Sequence, residues 1–276
     1  METGSGIEHL EARALRIRRH IVRMTHLAGS GHPGGSLSAT DIFSALYFRV
    51  LRHDPANPHW EDRDRFVLSK GHACVGLYAT LAESGYFPVE TLDTLRKLGS
   101  PLQGHPEVGT CPGIEAPAGS EGQAFGMAIG MAIAAKMDKR ANRIWTMVGD
   151  GECDAGPVWE GAMIAAARGL DNLTAILDRN RIQQDDFCAN VLPTEPMAEK
   201  WRAMGWHVIE IDGHDMVQVV QSLEASKSVA GKPTMIVAQT VKGKGVSFME
   251  NNVDWHGKGP NKEQYEAALQ ELGGAS

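Results

Sequence analysis

From residue 7 to 28 apolar positions recur at steps of three and four: Leu10, Ala14, Ile17, Ile21, Met24, and then Leu27 or Ala28. That spacing predicts a helix with one buried stripe. Gly29-Ser30-Gly31-His32-Pro33-Gly34-Gly35 breaks the pattern. A second helix is expected from Ser38, whose hydroxyl suits a cap, to about Leu51, with Asp41 in its first turn. A short apolar run at 65–68 reads as a buried strand, followed by a helix to about Ser84 and a short one over 91–98. Residues 99–123 are poor in periodicity and rich in Gly and Pro; a loop of this length in a compact domain usually serves function. A helix of small residues follows over 121–138.

The second half alternates. Strands are expected at 144–148, 173–177, 207–211 and 234–238, with helices at 157–168, 195–204 and 215–226 between them and a last helix at 262–272. Strand and helix in alternation predict an α/β fold, a mostly parallel sheet flanked by helices. No repeat or linker divides the chain, so all 276 residues are read as one domain.

Composition narrows the function. With 34 Asp and Glu against 27 Lys and Arg, the net charge is -7, and no basic run is present. Nonspecific nucleic-acid binding is thereby disfavoured. No apolar stretch is long enough to span a bilayer, and the first residues do not resemble a signal peptide. Cys74, Cys111, Cys153 and Cys188 are too scattered for a disulfide framework or a zinc site, which points to a reducing, cytoplasmic setting. The 31 glycines suggest backbone lying close against a ligand.

Open parallel sheets bind ligands beyond the carboxyl ends of their strands. The strand at 144–148 runs into Gly149-Asp150-Gly151-Glu152, and the next ends in Asp178-Arg179-Asn180-Arg181-Ile182. Neighbouring strand ends would bring Asp150 and Asn180 together. A carboxylate, an amide oxygen and the carbonyl of Ile182 form an oxygen donor set that suits Mg2+ or Ca2+ rather than zinc. Taken alone, the same residues also fit a turn former and a helix cap.

Five islands in order change that balance. Gly149-Asp150-Gly151 followed by Asn180 resembles the diphosphate and magnesium motif of thiamine-diphosphate enzymes. Ser30-Gly31-His32-Pro33-Gly34-Gly35, Leu68-Ser69-Lys70-Gly71-His72-Ala73, Gly104-His105-Pro106-Glu107, Gly119-Ser120-Glu121-Gly122-Gln123 and Trp255-His256-Gly257 resemble the transketolase family over nearly the whole chain. The resemblance implies a thiamine-diphosphate-binding domain and transfer of a two-carbon ketol unit from a ketose donor to an aldose acceptor. It further implies that Asp150, Asn180 and the Ile182 carbonyl hold Mg2+, with Ca2+ as the alternative ion. Gly149 and Gly151 would lie against the diphosphate, His72 and His256 near the cofactor, and Gly119 and Glu121 in the loop beneath the aminopyrimidine. His32, His105 and His256 would act on the sugars. His20, His53, His59 and His214 match no motif and read as ordinary surface or capping residues.

Full-length members carry a pyrimidine-binding and a carboxy-terminal domain as well, and the glutamate that activates the aminopyrimidine belongs to the former. The resemblance therefore implies the amino-terminal subunit of a split transketolase, active only with a separate chain of about 300 residues, two further domains of ordinary size. The expected assembly is a two-plus-two heterotetramer. Glu121 and Ala124 depart from the family's usual Leu and Gly, and Ala155 from a Glu often found in a carboxylate network, for which Glu160 and Asp154 are the nearest substitutes. A buried Glu121 would need a partner. Lys242 and Lys244 read either as mobile lid residues for an anion or as a solvated turn. Alternatives are a specialised ketol transferase for an unusual branched, deoxy or sulfonated sugar, and a component like 1-deoxyxylulose-5-phosphate synthase or 2-oxoacid dehydrogenase E1. A non-catalytic diphosphate-binding regulatory domain is the reading outside catalysis. The dinucleotide fingerprint is absent.

Overall fold

The computed structural model describes residues 4–274. In chain order the elements are α1 (Gly4–Ala28), α2 (Pro33–Ser38), α3 (Thr40–Ala45), β1 (Arg65–Leu68), α4 (Cys74–Glu83) and α5 (Gln123–Met137). Then follow β2 (Ile144–Gly149), α6 (Gly156–Ala167), β3 (Leu173–Arg179), α7 (Cys188–Val191) and α8 (Met197–Ala203). The chain closes with β4 (His207–Asp212), α9 (Met216–Ser226), β5 (Thr234–Gln239) and α10 (Lys262–Glu271). The strands form a sheet in the order β1-β2-β3-β5-β4, every neighbouring pair parallel.

Alternation along each strand feeds two hydrophobic layers. Phe66, Leu68, Trp145, Met147, Ile176 and Ile236 face a core shared with α1, α3, α4 and α9. Val67, Ile144, Val148, Leu173, Leu177 and Val237 face the opposite core, filled by α5, α6 and α8 with Phe125, Trp201 and Trp206. The helix of small residues does let α5 approach closely: a Cβ on Gly161 of α6 would meet Ile129 at 2.7 Å.

Three expectations are corrected. Ser38 does not cap a helix running to Leu51. Pro33, with its fixed φ, starts α2 in the glycine stretch itself, and Ser38 ends it. Gly34 and Gly35 are helical and buried because nothing larger fits: added Cβ atoms would lie 2.8 Å from the Trp255 carbonyl and 3.1 Å from His72 Nε2. The rest of the expected helix is α3 plus a wider turn at Leu46–Val50. The helix expected over 91–98 is a tight turn at Val89–Thr94, ended by left-handed backbone at Arg96, φ 60°. The third strand runs two residues further than expected, so Asp178 lies inside it, paired in register with Ala238.

That extension matters because Asp178 ties the strand ends together. It is fully buried, as is Lys70, which follows β1. The Lys70 ammonium donates to Asp178 Oδ2 and, at 2.9 Å, to the Gly35 carbonyl. Ser38 Oγ (2.6 Å), Thr240 Oγ1 and Asn180 Nδ2 (3.1 Å) also donate to Asp178. These bonds hold its carboxyl below the usual range against the cost of burial. One carboxylate therefore joins residues at the ends of β1, β3 and β5 to the end of α2.

Breaking such a pair leaves an uncompensated buried charge, at a cost of about 3–5 kcal/mol. Asp178→Asn should lose that much in urea unfolding, and adding Lys70→Met should recover more than half of it.

Candidate functional site

The carboxyl ends of β1, β2 and β3 surround a cleft lined by Lys70, His72, Glu121, Gly149, Asp150, Gly151, Glu152, Asn180, Ile182, Gln183, Gln184 and His256. Register places Gly149 opposite Asp178, so the segments leaving β2 and β3 run side by side. Asp150 Oδ1 accepts from the Gly151 amide at 2.9 Å and Oδ2 from the Arg181 amide at 2.5 Å. Asn180 Oδ1 accepts from the Ile182 amide at 3.2 Å. Gly151 has no room for a side chain, since a Cβ would lie 2.6 Å from that of Gln183.

Asp150 is 4% exposed, and burial together with the neighbouring Asp178 pushes its pKa up to about 6. A carboxylate under that strain favours an arriving cation. Among the described residues no group of three His, Cys, Asp or Glu could hold a metal by itself. The set is one carboxylate, one amide oxygen and one carbonyl, which needs further oxygens from a ligand to complete a hard-ion shell.

Lys242 supplies the opposite charge. It is 1% exposed, so it is neither a mobile lid nor a solvated turn, and both readings are corrected. Its ammonium donates to the Ile182 carbonyl at 2.8 Å and meets His256 Nδ1 at 2.7 Å. Both partners are uncharged. Burial and the nearby Lys70 lower its pKa to about 8. Lys70 has its own counter-ion, Lys242 has none in direct contact among the described residues, and its charge suits a polyanion such as a diphosphate. Lys244 is partly exposed and stands 3.8 Å from Glu250.

The four motif histidines, which come from four separate segments, converge here. The ring centroid of His32 lies 5.5 Å from His72, 6.1 Å from His105 and 5.3 Å from His256, and His72 lies 5.1 Å from His256. Burial, and the positive charge of Lys242, Lys70 and Arg96 around them, lower all four. His32 falls to about 3 and His256 to about 2, so both rings are neutral at ordinary pH and can accept hydrogen bonds from hydroxyl groups. His32 and His256 also line an outer vestibule with Gln184, Asp185, Asp254 and Lys258.

Not every expected residue lines the inner cleft. Gly119, His105 and His32 stand outside it, and a Cβ on Gly119 would lie 3.9 Å from the His105 ring. Glu121 is not buried as anticipated: its side chain is 44% exposed on the cleft rim, 3.7 Å from His72 Nδ1. His20 pairs with Glu83, His53 stacks on Tyr86, and His214 bridges Asp41 and the Val241 amide, all away from the cleft. His59 lines a separate surface pocket. Glu160 is exposed, and neither it nor Asp154 forms an ion pair among the described residues.

Sequence reasoning missed Lys70, Asp178, Glu152 and the burial of Lys242. Glu152 is 4% exposed and receives Ser69 Oγ and the amides of Gly122 (2.9 Å) and Gly149 (3.0 Å), tying the 119–122 loop to the end of β2. Burial and Glu121 push it up to about 7 against the pull of those donors. A charged residue two positions after an apolar strand was the available signal for Lys70; for Lys242 the surrounding glycines pointed the other way.

Residues 10–275 match the family "Transketolase, thiamine diphosphate binding domain". The chain is 46% identical to the 6-deoxy-6-sulfo-D-fructose transketolase subunit of a Clostridium species, over 95% of this chain and 96% of that one. It is 41% identical to an apulose-4-phosphate transketolase subunit of Phocaeicola vulgatus, covering 96% and 94% respectively. The transketolase of Leishmania mexicana superposes with a TM-score of 0.91 at 31% identity, over 96% of this chain but only 41% of the Leishmania chain. This chain thus spans about two fifths of a single-chain transketolase and nearly all of the separate subunits. It belongs to the transketolase family, as a thiamine-diphosphate-binding amino-terminal domain of the kind that split transketolases carry on a chain of their own.

Proposed function

We propose that this chain, as one cofactor-binding domain, is the amino-terminal subunit of a split transketolase that transfers a two-carbon ketol unit from a ketose to an aldose. The observation that carries the reading is the convergence of His32, His72, His105 and His256 over a cleft floored by Asp150, Asn180 and the Ile182 carbonyl. Coverage of the two relatives named as subunits, nearly end to end, supports the split arrangement. The remaining domains would come from a partner chain in a two-plus-two heterotetramer.

Asp150, Asn180 and the Ile182 carbonyl would hold Mg2+, or Ca2+ in its place, the ion sharing its shell with the diphosphate. Lys242 would exchange its hold on the Ile182 carbonyl for the anion it lacks. Gly149 and Gly151 keep the backbone close enough for that contact. Bound thiamine diphosphate supplies the nucleophilic carbon and the electron sink. The chain's residues supply position, proton acceptors and a cleft screened from water. Neutral His32 and His256, with His105 further out, accept or donate at the sugar hydroxyls as the carbon–carbon bond breaks and re-forms. Lys242 and the ion would set the anionic end of the cofactor in place before any sugar arrives, so orientation would be fixed in advance.

A specialised sugar is favoured by the relatives. One is named for a sulfonated deoxy sugar and the other for a sugar phosphate. Each name denotes a sugar bearing a strong acid, and the vestibule by His32 and His256 is where the sugar would enter.

Two outcomes test this reading. Ketol transfer should appear only when the chain is combined with its partner, at rates more than about 100-fold above either chain alone, the loss expected when groups that act as a unit are separated. Vigorous turnover by the isolated chain would overturn the split reading. A comparison of 6-deoxy-6-sulfo-fructose and xylulose 5-phosphate as donors then identifies the sugar. Separately, Asp150→Asn should weaken Mg2+-dependent cofactor binding by about 100-fold or more, since even outer-shell partners of metal ligands reach that scale. Titration calorimetry at several Mg2+ concentrations measures it; an unchanged metal dependence would remove Asp150 from the ion's shell.

A further inference from the structure

The buried Lys242 ammonium lies beneath the Ile182 carbonyl of the cleft, and an acid stands on the rim. Three carboxylates line the cleft, Asp150, Glu152 and Glu121. Asp150 accepts from the amides of Gly151 and Arg181 and faces the candidate ion, and Glu152 accepts from Ser69 and the amides of Gly122 and Gly149. Glu121 is different. Among the described residues its one partner of opposite potential charge is His72 Nδ1, 3.7 Å away, and that ring is held neutral. The Lys70 ammonium is fully buried and already serves Asp178 and Gly35. Glu121 is thus an acid facing a ligand cleft without a cation.

Its position is set by the fold. Gly122, next to it, has left-handed backbone with φ 80° and gives its amide to Glu152. The loop before it is pressed between β1 and the His105 segment: the Ala118 amide donates to the Pro106 carbonyl at 3.2 Å, and a Cβ on Gly71 would meet Ala118 at 2.7 Å. The backbone that carries Glu121 is thereby held at the rim. Desolvation in the crevice raises its pKa, the pull of Lys70 and His105 offsetting only part of this.

A ligand complementary to this arrangement carries an anion at one end and a cation a short distance along. Thiamine diphosphate has that order of charges, since its thiazolium ring is joined to the diphosphate by two carbons. We propose that Glu121 is the counter-charge to the thiazolium ring, pairing with the cationic part of the cofactor while Asp150, Asn180, Ile182 and Lys242 receive the anionic part. This rests on the cofactor reading above and adds to it a charge contact that an apolar residue at this position would lack. The pair sets an opposite charge beside the ring, so Glu121 selects the charged ring over a neutral one of the same shape.

The test compares binding of thiamine diphosphate with that of its neutral-ring analogue, in which carbon replaces the ring nitrogen. Both are titrated with Mg2+ into the complex with the partner chain, with fluorescence quenching as the readout. Glu121→Gln and Glu121→Leu should weaken thiamine diphosphate about 5-fold, the scale of a half-exposed ion pair, and the loss should shrink in high salt. The analogue and inorganic diphosphate should bind as they do to the unaltered protein. Equal losses for both ring forms, or no loss for either, would overturn the charge pairing. An unaltered complex that binds inorganic diphosphate but neither ring form would instead overturn the cofactor reading, and this inference with it.

Discussion

The site depends on one buried ion pair. Lys70 and Asp178 lie at the ends of β1 and β3, with β2 between them, and α2 is bonded to both. An ion pair without water is costly in itself, and removing either partner is costlier than keeping both. This pair is kept where it is most constraining, at the edge where the sheet meets the cleft. The buried carboxylate accepts from Ser38, Thr240 and Asn180 as well as Lys70. Through Asn180 it orients a candidate metal ligand; through Lys70 and Gly35 it fixes the turn that carries His72 and the helix that follows His32. The floor of the site and two of its histidines share one anchor.

Electrostatics above that anchor follow from what is paired and what is not. Lys70 and Asp178 cancel, and Glu152 is saturated by three donors. Lys242 and Glu121 remain, one beneath the cleft and one on its rim. The surrounding histidines are neutral because burial and those same cations disfavour their charged form. Among the described residues a site rich in titratable groups is thereby reduced, beside the candidate metal ligand Asp150, to two uncompensated charges and a set of neutral histidines.

The fold was legible where periodicity was strong. Every strand from β1 to β5 and the long helices α1, α5, α6 and α9 follow from the pattern, most plainly β2, β3 and β5, whose burial on both faces leaves apolar runs. Legibility failed around Ser38 and Arg96, where tertiary contacts override local signals: a glycine pair made helical by the atoms pressed on it, and a helix stopped by left-handed backbone. At the site, glycine-flanked acids and histidines stood out, and the fold brings Asp150, Asn180 and four histidines together. Lys242 and Asp178 did not stand out. Burial of a charge is a property of the assembled chain, and a lysine between glycines looks solvated until the residues around it are in place.

The unpaired ammonium of Lys242 has a consequence for how the protein is kept folded. A buried cation bonded only to neutral partners destabilises the chain by itself, and an anion relieves that cost. Anything that settles there binds the native state and not the unfolded one, so the stability of the chain rises with ligand concentration by mass action. The amount of intact subunit in a cell would then track the supply of its own cofactor, with inorganic phosphate and diphosphate acting as weaker substitutes.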